Sequence, residues 1–109
     1  MGANGVSSPT QRSKAHLEKQ GYRVAITEHW CPFSRRRKDM FNVVDLLAIR
    51  EGETLAVQTT SASNMSARIK KIADSDAIAD IRAAGWGFLV HGWRKGANGR
   101  YVLREIDVS

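Results

Sequence analysis

The sequence predicts one α/β domain, a mixed β-sheet flanked by helices in the order α-β-β-β-α-β-β. Three observations lead there. VVDLLAI (43–49) is a near-continuous apolar run, as expected of a strand covered on both faces. A tight Glu51-Gly52 turn joins it to LAVQTT (55–60), its hairpin partner. After SASN, Met65, Ile69 and Ile72 recur at helical spacing, and WGFLVHGW (86–93) then reads as a buried strand.

The elements follow in order. Residues 1–8, MGANGVSS, are small and polar and are expected to fray, which leaves 9–109 as the domain. Ser8-Pro9 looks like a helix cap with proline in the first turn. That helix should run to about Gln20, stop at Gly21, and pack Ala15 and Leu17 inward. In YRVAIT (22–27), Tyr22, Val24 and Ile26 alternate onto one face of a strand. HWCPFSRRRKD (29–39) reads as a loop, because Pro32 breaks regular pairing and a basic block follows. On the helix after SASN, Arg68, Lys70 and Lys71 fall mostly on the polar side. Asp74-Ser75-Asp76 interrupts or recaps it before Ile78 and Ile81, and Gly85 ends it. Residues 96–99, GANG, turn the chain into a last strand, RYVLREIDV. There is no internal repeat and no linker.

A chain of 109 residues suits one modest core, and a 42% hydrophobic content is enough to fold it. No run approaches the ~18 apolar residues of a membrane span, so no membrane role is expected. One cysteine, Cys31, rules out an internal disulfide and fits a reducing cytoplasm. A net charge of +6 and a pI near 10.0 favour a polyanionic partner, because each cation near a phosphate releases a counterion. The charge is clustered in Arg35, Arg36, Arg37 and Lys38. The plainer reading of such a block is a solvated loop.

A two-residue turn at Glu51-Gly52 pairs Arg50 with Glu53 and, counting back, Asp45 with Gln58. Side chains alternate along a strand, so Asp45, Gln58 and Thr60 share one face unless a bulge or a longer turn shifts the register, Glu51 not being a favoured residue at a left-handed turn position. A charge inside an apolar strand costs several kcal/mol unless it is paired or metal-bound. The plainer reading of Asp45 is an acid at a strand end, hydrogen-bonded to an amide.

The strings RRKDMFNVVDLLAI and LAVQTTSASNMSARIKKI, with the element order over 9–108, resemble the PD-(D/E)XK phosphodiesterase superfamily. The similarity is to its Holliday-junction-resolvase and restriction-endonuclease branches and to small bacteriophage nuclease-like proteins. The resemblance implies a restriction-endonuclease-like fold and Mg²⁺- or Mn²⁺-dependent hydrolysis of DNA, branched DNA included. It makes Asp45 and Gln58 the metal ligands, with Gln58 standing where the family has Glu. Thr60 stands where the family has the lysine that orients the attacking water, so Lys70 or Lys71 would take over that task. Arg35, Arg36, Arg37, Lys38 and Arg68 would hold the nucleic-acid backbone. Asp39 would add a second carboxylate if its loop folds over Asp45. Resolvase-like members carry a further acid on the first helix, and here Thr10-Gln11 occupies that place. Glu18 lies nearer the helix end and is not assigned to that role.

Other constellations are weaker. His29, Cys31 and His91 match no familiar zinc spacing. Trp30, Phe33, Trp86 and Trp93 offer rings for base stacking, although Trp86 suits a strand core better. The rival function is a catalytically inactive protein of nuclease fold that binds DNA or a protein partner, and RNA is a less favoured substrate. Small members of the superfamily often pair, so a homodimer through Trp93 and the last strand is a further expectation.

Overall fold

The computed structural model describes residues 8–109; of the segment 1–8 expected to fray, residues 1–7 lie outside them and Ser8 caps a helix. Helix α1 (Pro9–Lys19) starts where the Ser8 hydroxyl accepts the Gln11 N–H at 3.2 Å, with proline in the first turn. It buries Thr10, Ser13 and Leu17, one stripe at helical spacing. Ala15 is exposed, contrary to expectation, because two residues of helix place it opposite Leu17. Gly21, at φ 92°, ends the helix.

Strands β1 (Arg23–Ile26), β4 (Leu46–Arg50), β5 (Glu53–Ser61), β6 (Gly87–Lys95) and β7 (Tyr101–Asp107) form one mixed sheet in the order β1-β4-β5-β6-β7. Every neighbouring pair is antiparallel except β5–β6, which is parallel. The crossover between those two carries a 3₁₀ turn (Ala62–Asn64) and helices α2 (Met65–Ala73) and α3 (Ala77–Ala83). The break between the helices falls at Asp74-Ser75-Asp76, as expected.

The sheet separates two cores. Leu17 of α1 packs with Leu46, Ala48, Leu55 and Val57 on one face. Met65, Ile72, Ile78 and Ile81 pack with Ala56, Phe88 and Val90 on the other. Gly92 lets the crossover approach, since a Cβ there would strike the Met65 side chain and lie 3.0 Å from the Ala62 Cα.

Two further expectations need correction. Residues 29–39 are not a loop: β2 (His29–Cys31) and β3 (Arg36–Lys38) pair as a small separate hairpin. Pro32 sits in its turn, where a missing N–H costs nothing. The Asp-bearing strand does not begin at 43. β4 starts at Leu46, because residues 40–44 form a tight turn in which Met40 and Val44 bond each other. Phe41 and Asn42 both take positive φ there, 54° and 63°.

Candidate metal centre and its basic rim

The β4–β5 register is the expected one: Arg50 faces Glu53 and Leu46 faces Val57, with only Gly52 of the turn at positive φ. Just ahead of β4, the Asp45 N–H bonds the carbonyl of Val57, the residue that already faces Leu46, at 2.9 Å, so the regular pairing stops at Leu46 and the expected Asp45–Gln58 pair is not part of it. Asp45 is 3% exposed. One of its oxygens, Oδ2, accepts three hydrogen bonds: from Gln58 Nε2 at 2.9 Å, the Thr59 N–H at 2.7 Å and the Thr59 hydroxyl at 3.2 Å. Burial, and then Asp39, raise its pKa from the usual carboxylate range to about 7.

Two more acids converge here. Glu28 follows β1 and Asp39 follows β3, so they bracket the β2–β3 hairpin. Glu28, Asp39 and Asp45 each offer an oxygen within 4.8 Å of the others, the group among the described residues able to hold a metal ion. Thr27 pins the strand end carrying Glu28, bonding the Asp45 carbonyl through its N–H (2.8 Å) and the Val44 carbonyl through its hydroxyl (2.7 Å). The positive-φ turn at Phe41 and Asn42 reverses the chain between Asp39 and Asp45. Thr10 of α1 reaches the same cluster. Its hydroxyl donates to Glu28 at 3.2 Å and lies 2.9 Å from the Thr59 hydroxyl.

These acids open into a cleft of about 520 Å³ that Thr59, Thr60, Arg37, Arg68 and Lys71 also line. Lys71 Nζ is 3.7 Å from Asp39, and an Arg37 nitrogen is 3.7 Å from Glu28. A smaller groove of about 340 Å³ adjoins it, lined by Arg36, Arg37, Lys38, Asp39, Asn42 and Lys71. The basic block therefore runs along the hairpin up to the acids. Arg35 lies in the hairpin turn, exposed, at φ 53°.

Most of the site residues expected from sequence are gathered here: Asp45, Gln58, Thr60, Lys71, Arg37 and Arg68. Lys70 is exposed and lies outside both linings. The donor set is all oxygen, which suits Mg²⁺ or Mn²⁺. Gln58 presents its amide nitrogen to Asp45 and, at 3.4 Å, to Asp39, while its buried Oε1 has no hydrogen-bond partner. Turning that amide by half a rotation would aim the oxygen at the carboxylates, where it could serve as a neutral ligand.

His29, Cys31 and His91 do not assemble. His91 is buried between Ser13 and Glu105, 2.8 Å from each, and burial lowers its pKa so that the ring stays neutral. Trp93 donates its indole N–H to Ser13, and Trp86 lines an apolar pocket with Phe41 and Ile81. Trp30 and Phe33 remain exposed on the hairpin.

Glu28 went unread in the sequence, for a lone acid after a strand carries no local signal. Thr59 was also missed, because alternation assigns it to the opposite face from Gln58; both its backbone N–H and its hydroxyl nonetheless reach Asp45. No helix is long and apolar enough to cross a membrane. Comparison with protein-family models, with curated proteins and with solved structures returned no match for the chain.

Proposed function

We propose that this protein is a divalent-metal-dependent endodeoxyribonuclease with a restriction-endonuclease-like fold of the PD-(D/E)XK type. The observation that carries this reading is the convergence of Glu28, Asp39 and Asp45 on one cleft rimmed by Arg37, Arg68 and Lys71. The antiparallel run β1-β4-β5, followed by a helical crossover into parallel β6, supports the fold assignment.

In this reading Asp45, Asp39 and Glu28 hold Mg²⁺ or Mn²⁺, with Gln58 as a neutral ligand. When bound, such an ion supplies a Lewis acid for the phosphate and an acidified water. The chain's own groups do the rest. Thr59 fixes the orientation of Asp45 through its Oδ2 with its backbone N–H and its hydroxyl, leaving the other oxygen for the ion. Lys71 supplies the ammonium that Thr60 cannot, at the place where negative charge develops. Arg37 and Arg68 grip the phosphate backbone, and the basic groove along the hairpin extends that grip.

A second reading, a binding protein without catalysis, draws on Thr60 and on Gln58, which is already hydrogen-bonded to two of the acids. Cleavage separates the two. The parent should cut labelled DNA with Mg²⁺ or Mn²⁺ and not with EDTA, and Asp45→Asn should abolish cutting while DNA binding persists. DNA binding with no cleavage under any divalent ion would leave only the second reading.

A further inference from the structure

Two residues of the β2–β3 hairpin have no local structural task. Phe33 is 98% exposed in the turn, where Gly, Asn or Asp would be the ordinary choice. Arg35 occupies a positive-φ position that also favours Gly or Asn. The hairpin is separate from the main sheet and has three residue pairs, so a bare aromatic ring at its end adds nothing to its stability. Its register pairs Trp30 with Arg37, which puts that ring, 57% exposed, on the face of the arginine that lines the acid cleft. A strip of aromatic and cationic groups thus leads from Glu28 and Asp39, at the base of the hairpin, to Phe33 at its tip.

We propose that this hairpin is a base-engaging finger that selects DNA containing an unpaired base. The proposal rests on the DNA-cleaving reading and adds the structure of the substrate. Phe33 stacks on the unpaired base, which has a free π-face that a base inside an intact duplex lacks. Arg35 and Arg36 neutralise the flanking phosphates, in keeping with the chain's net charge of +6. Because Glu28 and Asp39 sit at the base of the finger, the base it holds sets where the acids meet the strand. At ~3.3 Å per strand residue, tip and acids are separated by about 10–15 Å. That corresponds to roughly three to four stacked nucleotides between the unpaired base and the cut.

The test compares a duplex carrying one bulged 2-aminopurine with the same duplex fully paired. The parent should prefer the bulged DNA about 10-fold and change its 2-aminopurine fluorescence, and it should cut a few nucleotides from the bulge. Phe33→Ala, at an exposed position that leaves folding intact, should lose the preference and the fluorescence change, with paired-duplex affinity held within about twofold. Phe33→Trp should keep both. If the parent binds and cuts the two DNAs alike, or Phe33→Ala retains the preference, the finger is wrong while the nuclease reading stands. Phe33-dependent bulge binding without cleavage upholds the finger and removes the nuclease. A parent that binds neither DNA overturns both, and leaves the exposed rings to a protein partner.

Discussion

Glu28 and Asp39 flank the β2–β3 hairpin, one just before it and one just after, and each brings a carboxylate oxygen within 4.8 Å of the other and of Asp45. The hairpin is thus an excursion between two members of one acid cluster.

The state of Asp45 gives the first prediction. Its carboxyl, raised to about 7 by burial and by Asp39, keeps a proton in the folded chain that the unfolded chain releases near its ordinary value of 3.8. Between those values the folded state binds more protons, so metal-free stability falls as pH rises from about 4 to about 7. A divalent ion bound by the carboxylate relieves that penalty. The Mg²⁺-induced rise in melting temperature is therefore expected to be larger at pH 8 than at pH 5. Equal shifts at both pH values would remove Asp45 from the ligands.

Lys71 and Lys70 differ in what they reach, and their variants should differ accordingly. Lys71→Met is expected to lower the cleavage rate by about 100-fold or more, the scale of losing one stabilising group at a developing charge. Lys70→Met should leave it within about twofold. Equal losses from both would reduce Lys71 to one more phosphate contact. In the Lys71→Met background, Thr60→Lys with Gln58→Glu should recover part of the rate, because Thr60 lines the same cleft.

Reversing the charge of Arg35, Arg36 and Arg37 should weaken DNA binding and flatten its salt dependence. Three lost phosphate contacts lower the slope of log K against log salt by up to about 3. An unchanged slope would place the DNA on another surface.

Gly92 is a structural control. An added methyl must displace Met65 and press on the Ala62 backbone, so Gly92→Ala should destabilise the fold by roughly 1–3 kcal/mol. It should leave the pH dependence of the Mg²⁺ effect in place. A neutral outcome by thermal melting would mean that the crossover yields more easily than its packing against β6 suggests.

Parts of this architecture were legible in the sequence for physical reasons. The β4–β5 register follows from a two-residue turn and strict alternation, which is why Asp45, Gln58 and Thr60 could be grouped before any coordinates. The hairpin at 29–38 was hidden, since a Pro and a run of cations mimic a loop and its pairing is too short to show alternation. Its consequence for the site was hidden with it. Glu28 joins the cluster only because Thr27 is pinned to Val44 and Asp45, a contact between distant segments. Asp39 meets Asp45 through positive φ at Phe41 and Asn42, and a phenylalanine does not announce such a turn. Ala15 was misread because its apolar character suggested burial, whereas the α1 stripe is set by Thr10, Ser13 and Leu17.

The most direct measurement is a Mn²⁺ titration of the parent protein, followed by calorimetry or by the loss of the free-ion EPR signal. It should run beside Glu28→Gln, Asp45→Asn and, as a control, Asp80→Asn on the exposed face of α3. The parent and the control are expected to bind one ion with equal affinity, and the two cluster variants to bind it at least about 10-fold more weakly. A parent that takes up no Mn²⁺, or a Glu28→Gln protein that binds as well as the parent, would contradict a metal centre built on these three acids.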